Sequence, residues 1–247
     1  MARIIKKNSD LHRKYHSYQT KKAFTFLISG SFLVLCMLHL ASAQYPNLAY
    51  IFILFIGFVG GIFAGKNAKK KADICRAGLE GEKTTAQIME ILPDTYCGFQ
   101  NIEVAHKGKT SELDMVVVGP TGVFIIETKN HNGMIVGNYD SPQWVQKKVG
   151  RGGGSYSKSF YNPIKQVGTH VYRLANYLRK NGCSVHVNAM VYFSNSEAVI
   201  QLSGTPGEIP VYVASRNGAR EVCSHILKND QSISEKGIRE IRKLLNA

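Results

Sequence analysis

SELDMVVVGPTGVFIIETKN, Ser111 to Asn130, sets two short apolar runs, Leu113 to Val118 and Val123 to Ile126, around the turn Gly119-Pro120-Thr121-Gly122. Runs this short, rich in valine and isoleucine and separated by a Gly/Pro turn, read as two antiparallel strands rather than a helix. If Val118 faces Val123, the numbers of paired residues sum to 241. Asp114 then lies opposite Glu127, and alternation along the strand puts Lys129 on the same face as Glu127.

Facing residues in such a pair have Cβ atoms about 4.5–5.5 Å apart, so two carboxylates there repel each other. Lys129 supplies one positive charge, and a divalent cation held by both carboxylates would complete the compensation. An acid on one strand, then an acid and a lysine two residues apart on the next, suits metal-assisted phosphodiester hydrolysis. The cation acts as a Lewis acid towards water and phosphate, and the lysine orients the water or stabilises the oxyanion. Taken alone, Asp-x12-Glu-x-Lys also describes an ordinary surface hairpin with a Glu/Lys pair.

The surrounding sequence adds context. Gly78-x-x-Gly81-Glu82, Glu112-Leu113-Asp114, Ile126-Glu127-Thr128-Lys129-Asn130, Gly133-x-Ile135-x-Gly137, Trp144 and Asn162-Pro163-x-x-Gln166 follow in that order between Arg76 and Phe193. As an ordered set they resemble the nuclease-related domain (NERD) family of the PD-(D/E)xK restriction-endonuclease-like superfamily. The resemblance implies an α/β fold whose core runs helix, three strands, helix, strand. It implies a catalytic set of Asp114, Glu127, Lys129, Glu82 and Gln166. It also implies Mg²⁺ or Mn²⁺ as cofactor, bound by Asp114, Glu127, the Thr128 carbonyl and Glu82. Without it, Glu82 reads as an early-turn acid favoured by the helix dipole, and Gln166 as a routine polar residue.

The chain has 247 residues and a formal charge of +14. That excess is uneven: residues 1–71 carry 11 Lys/Arg against one acid, and the remainder carries 20 against 16. The basic residues instead bracket two uncharged, mostly apolar runs, 23–43 and 48–65, each about long enough to cross a hydrocarbon core of ~30 Å. Residues 44–47 leave room only for a tight external loop. The expected division is a basic segment 1–22, transmembrane helices 23–43 and 48–65, a basic linker 66–75 and a cytoplasmic nuclease-like domain 76–247. With both flanks positive, the chain is expected to be a multi-pass protein of the cell (inner) membrane with both termini in the cytoplasm. Ala41-Ser42-Ala43 resembles a signal-peptidase site, but cleavage there would leave the second run crossing inward and the domain on the same side. Gly57, Gly61 and Gly65 form a stripe for close packing against the first span, or alternatively for a homodimer.

Five scattered cysteines without a Cys-x-x-Cys read as free thiols in a reducing compartment. No Gly-x-x-x-x-Gly-Lys loop occurs, so no nucleotide cofactor is expected.

Arg76 to Leu92 reads as a helix, Thr95 to Ala105 as a strand, and Gly133 to Trp144 as a short hairpin. Gln146 to Tyr161 reads as a basic loop in which Lys147, Lys148, Arg151 and Lys158 interleave with glycines and aromatics. Such a composition suits either a flap over nucleic acid, DNA in the first instance, or a plain linker. A helix opens at Asn162-Pro163 and closes at Asn181-Gly182. Val185 to Phe193 and Val211 to Ala214 read as strands. Two helices follow, the last opened by a capping box at Ser232-x-x-Glu235. The expectation is a membrane-anchored, metal-dependent nuclease. Its rivals are a nucleic-acid-binding module that has lost turnover and a membrane scaffold.

Overall fold

The structure, a computed structural model, describes residues 1–7, 9–42, 47–150, 153–214 and 217–246. It forms two compact units: Asp10–Leu79, and Met1–Ser9 together with Glu80–Ala247.

The first unit holds helix α1 (Asp10–Ser42) and most of helix α2 (Leu48–Met89). Both are long and apolar enough to cross a membrane, and large side chains such as Leu27, Val34, Phe52 and Ile53 are exposed along them. Each helix outruns its apolar stretch. Helix α1 starts at Asp10, and α2 continues unbroken through the basic stretch 66–75, expected as a linker, into the helix expected from Arg76. Alanine and lysine dominate 66–75 and neither Pro nor Gly interrupts it, so nothing there stops a helix. A Cβ on Gly57, Gly61 or Gly65 would come within 3 Å of Phe32, Ser29 or Phe26. Ser29 Oγ also donates to the Phe58 carbonyl at 2.7 Å. The glycine stripe therefore packs against the first helix.

The second unit is an α/β domain built on a six-stranded sheet. Its strands are β1 (Arg3–Lys6), β2 (Cys97–His106), β3 (Lys109–Gly119), β4 (Gly122–Lys129), β8 (Val187–Phe193) and β10 (Val211–Val213), side by side in that order. Four more strands form a second sheet in the order β7 (Ser155–Tyr161), β6 (Gln143–Val149), β5 (Gly133–Asn138), β9 (Ala198–Ser203). Helices α3 (Pro163–Lys180) and α5 (Glu235–Leu245) pack their apolar stripes on Phe99, Val116, Val118 and Ile125. The end of α2 and helix α4 (Gly218–Leu227) cover Met115, Val117, Phe124 and Ile126 on the opposite face. The side chains of β3 and β4 thus alternate between two buried layers, which explains their nearly continuous apolar runs.

In this second unit four features differ from the sequence expectation. Residues 3–6 form an edge strand, pairing in parallel with Cys97–Gln100. Ala198–Ser203 adds β9, which was not anticipated. The supposed basic loop is largely a hairpin: β6 and β7 pair from Gln143↔Tyr161 to Val149↔Ser155. Arg151 lies outside the described residues. The cap of α5 is Ser234, whose hydroxyl accepts from the Gly237 amide at 3.2 Å, in place of Ser232.

Candidate active site

The turn fixes the β3–β4 register as expected, with Val118↔Val123 and Met115↔Ile126 paired. Beyond Met115 the strands part. Among the described residues the β2–β3 ladder also skips the Asn101–Asp114 position, pairing Gln100↔Met115 and then Ile102↔Leu113. Asn101 there takes a left-handed backbone, φ 57°. Freed from both ladders, Asp114 accepts a hydrogen bond at Oδ2 from the Thr128 amide, 2.8 Å away. The Lys129 carbonyl accepts from the Ser194 amide on the β8 side. Alternation then turns the amide and carbonyl of Thr128 to the side of Asp114.

Glu127 is buried, and Lys129 bridges it to α3: Nζ donates to Glu127 Oε1 at 2.7 Å and to Gln166 Oε1 at 3.0 Å. The other carboxylate oxygen, Glu127 Oε2, is buried without a hydrogen-bond partner. His170, one turn beyond Gln166, stands 3.9 Å from it, too far for a hydrogen bond. Burial and the Lys129 charge push His170 down to about 4, so the ring is neutral at pH 7.

Glu82 reaches the same region from the end of α2. Gly81 lets the helix approach, since a Cβ there would come within 2.8 Å of Asn130 and Ser194. Asn101 Nδ2 donates to Glu82 Oε2 at 3.1 Å, while Asn101 Oδ1 is buried without a partner. Burial and the nearby Asp114 raise Glu82 to about 7. Burial, then Glu127, pushes the Asp114 carboxyl well up, and burial raises Glu127 against the pull of Lys129. Burial works against the Lys129 charge, but Glu127 and Asp114 outweigh it and hold the ammonium above the usual lysine value. The cluster is therefore short of positive charge.

The oxygen donors suit a hard divalent cation. Two carboxylates, one with an unpartnered oxygen, lie in one cluster, and strand alternation turns the Thr128 carbonyl to the Asp114 side. Among the described residues, no three His, Cys, Asp or Glu side chains converge into a metal cage on their own. Glu82 accordingly interacts with Asp114 through charge while its own hydrogen bond goes to Asn101.

These shifts set a pH dependence. Raised carboxyls bind protons more tightly in the folded state, so the stability they contribute is present at low pH and lost as pH rises through the folded values. His170 and His131, both depressed to about 4, act in the opposite sense, but only below the ordinary histidine value of 6.5. Between pH 6.5 and 8.5 the carboxyls act alone, and the metal-free protein should lose on the order of 2 kcal/mol. Trp144 is the single tryptophan and is buried in this domain, so its fluorescence reads the unfolding midpoint. A midpoint that rises over this range in EDTA would contradict the electrostatic picture.

The structure brings Asp114, Glu127, Thr128, Lys129 and Gln166 together, with Glu82 alongside. Of the basic residues, Lys148 and Lys158 act on His131, near Lys129. Lys147 alternates to the other face of β6. Asn101, His131 and His170 were not among the residues expected from sequence.

The fold and this cluster define a restriction-endonuclease-like α/β domain preceded by a helical hairpin. Residues 77–194 match the family described as Nuclease-related domain (NERD). An uncharacterized protein of Bacillus anthracis is 35% identical over 98 residues, covering 38% of this chain and 43% of that protein. The chain thus spans less than half the length of that relative. No solved structure matches the chain.

Proposed function

We propose that the protein is a membrane-anchored nuclease that uses Mg²⁺ or Mn²⁺ to hydrolyse phosphodiester bonds, DNA being the first substrate to test, at the cytoplasmic face of the cell membrane. The observation that carries this reading is the unpartnered Glu127 Oε2 inside a cluster of mutually repelling carboxylates that Lys129 only partly neutralises. Asp114, Glu127 and the Thr128 carbonyl, with Glu82 beside them, would hold the cation, whose chemistry there is Lewis-acid stabilisation of charge on the phosphate.

The chain's own groups perform the rest. The Thr128 amide fixes the Asp114 carboxylate by holding Oδ2. Lys129, kept charged by its neighbours, is unsuited to be a base. It instead donates to a water or to the developing oxyanion. Gln166, accepting from Lys129 at Oε1, keeps that ammonium in place and leaves its own amide protons for water or phosphate. The reading is tested by incubating the full chain in detergent with DNA and RNA, with Mg²⁺ and then EDTA. Cutting that EDTA abolishes supports it, and folded protein that cuts nothing overturns it. The full chain is required because β1, which precedes the apolar helices, belongs to the domain's sheet.

The membrane arrangement has independent support. Strands β1 and β2 precede α1 and follow α2 respectively, and they are hydrogen-bonded neighbours. Helices that cross the bilayer must therefore cross as a pair and return the chain to the side it left. The basic residues at both flanks favour the cytoplasm for that side. A reporter fused after Ala247 should be active only in its cytoplasmic form, and an externally active fusion would refute the topology.

A further inference from the structure

The second sheet leaves two cations unexplained. Register pairs Lys148 with Tyr156 and Gln146 with Lys158, so Lys148 and Lys158 are diagonal neighbours on one face of the β6–β7 hairpin. Trp144 and Phe160 share that face, and the indole stacks on Phe193 with ring centroids 6.4 Å apart. The face is therefore the one turned towards the six-stranded sheet. Among the described residues, neither lysine forms a salt bridge or a side-chain hydrogen bond. Two ammoniums on neighbouring positions, without an acid beside them, leave this face positively charged.

Their position ties them to the candidate active site. The Lys148 stem passes Gly133, where a Cβ would lie 3.4 Å from its Cγ. The neighbouring Gln146 Nε2 donates to the Asn132 carbonyl at 2.7 Å. This segment continues directly from Lys129 and includes His131, whose ring packs edge-on against Phe160 with centroids 4.6 Å apart. Burial and then the charges of Lys129, Lys148 and Lys158 depress His131 to about 4, so its imidazole is neutral at pH 7. A neutral ring donates a single hydrogen bond without adding to the positive charge.

We propose that Lys148 and Lys158, with His131 between them and Lys129, form a phosphate subsite that grips the nucleic-acid backbone beside the bond to be cut. The proposal rests on the nuclease reading of the adjoining carboxylates. It assigns the basic hairpin a direction: Lys148 and Lys158 touch substrate and Lys147, on the far face, does not. The exposed ring of Tyr156, opposite Lys148, stands where it can stack on a base of the same strand. An anionic lipid headgroup offers similar chemistry, but the continuity with Lys129 favours a substrate phosphate.

The test is binding of a fluorescein-labelled DNA oligonucleotide to the full chain in detergent, with Ca²⁺ replacing Mg²⁺, over a series of salt concentrations. The K148A/K158A double variant should bind on the order of tenfold more weakly and flatten the log K against log salt slope by about 2, one for each lost phosphate contact. K147A should match the parent, and all three proteins should share one Trp144 unfolding midpoint. An unchanged slope in the double variant, or an equal loss in K147A, overturns the subsite. So does a double variant that keeps its DNA affinity but is no longer competed by short-chain phosphatidylglycerol, which would assign the lysines to lipid. The two readings fail separately. DNA binding with this lysine dependence but no cutting in Mg²⁺ sinks the nuclease and leaves the subsite, whereas cutting without the lysine dependence does the reverse.

Discussion

Asp114→Asn should make the metal-free protein more stable while slowing its metal-dependent cleavage by about a thousandfold. The two effects have one cause. Asp114 stands in a buried cluster with Glu127 and Glu82, and each charge raises the cost of the next. An asparagine of the same shape can still accept from the Thr128 amide through its carbonyl oxygen, so the hydrogen bond at 2.8 Å is kept while the repulsion goes. The gain should be about 1–3 kcal/mol at pH 8 and smaller at pH 6, where the native carboxyl already holds its proton. The same replacement removes an anionic oxygen from the proposed cation site, hence the loss of rate. Unfolding followed at Trp144 in EDTA, at both pH values, reads the first effect. A lower midpoint for the variant at pH 8 would show that Asp114 contributes to folding and is not strained by its neighbours.

Lys129→Met should move stability the other way. Methionine fills a similar volume but leaves Glu127 buried without its hydrogen bond from Lys129 and Asp114 without its compensating charge. Breaking a buried pair from one side costs about 3 kcal/mol, and here the cost should be greatest above pH 7, where the carboxyls are pressed to ionise. Cleavage should fall about 10²- to 10³-fold through loss of the donor. Lys129→Arg should not restore the rate, because the planar guanidinium cannot occupy the same point between Glu127 and Gln166. Both substitutions stop the chemistry, yet one raises the midpoint and the other lowers it. Generic misfolding would lower both.

The hairpin was legible because local rules govern it. Gly119 and Gly122 close the turn, the turn sets the pairing as far as Met115↔Ile126, and the next residue, Asp114, is thereby brought to the Glu127–Thr128 segment with no long-range information. Gln166 was reachable for the same reason, since Asn162-Pro163 fixes the first turn of its helix. His170 follows four residues later on the same face and could have been found by that spacing; its neighbours Val167 and Val171 drew attention to the apolar stripe instead. Residues 3–6 gave no usable signal: a four-residue strand between charged ends takes its partner from residues 97–100, across both long helices. The basic hairpin was hidden by composition. The face that carries Trp144 alternates Trp144, Gln146, Lys148 against Phe160, Lys158, Tyr156, and only its Trp144–Phe160 end is apolar, so the period of two is drowned by serine, lysine and glycine. Asn101 was obscured because its role comes from a break in the ladder, which no side-chain pattern announces.

The most direct test of the account is cleavage by the full chain in detergent, in Mg²⁺ and in Mn²⁺, across linear, nicked and single-stranded DNA and RNA, beside Asp114→Asn and Lys129→Met. The account predicts metal-dependent cutting by the parent and its loss in both variants, with Asp114→Asn folded at least as stably as the parent. Cutting that survives either substitution, or a folded parent that binds the nucleic acid and never cuts it, would contradict the claim that Asp114, Glu127 and Lys129 form a catalytic centre.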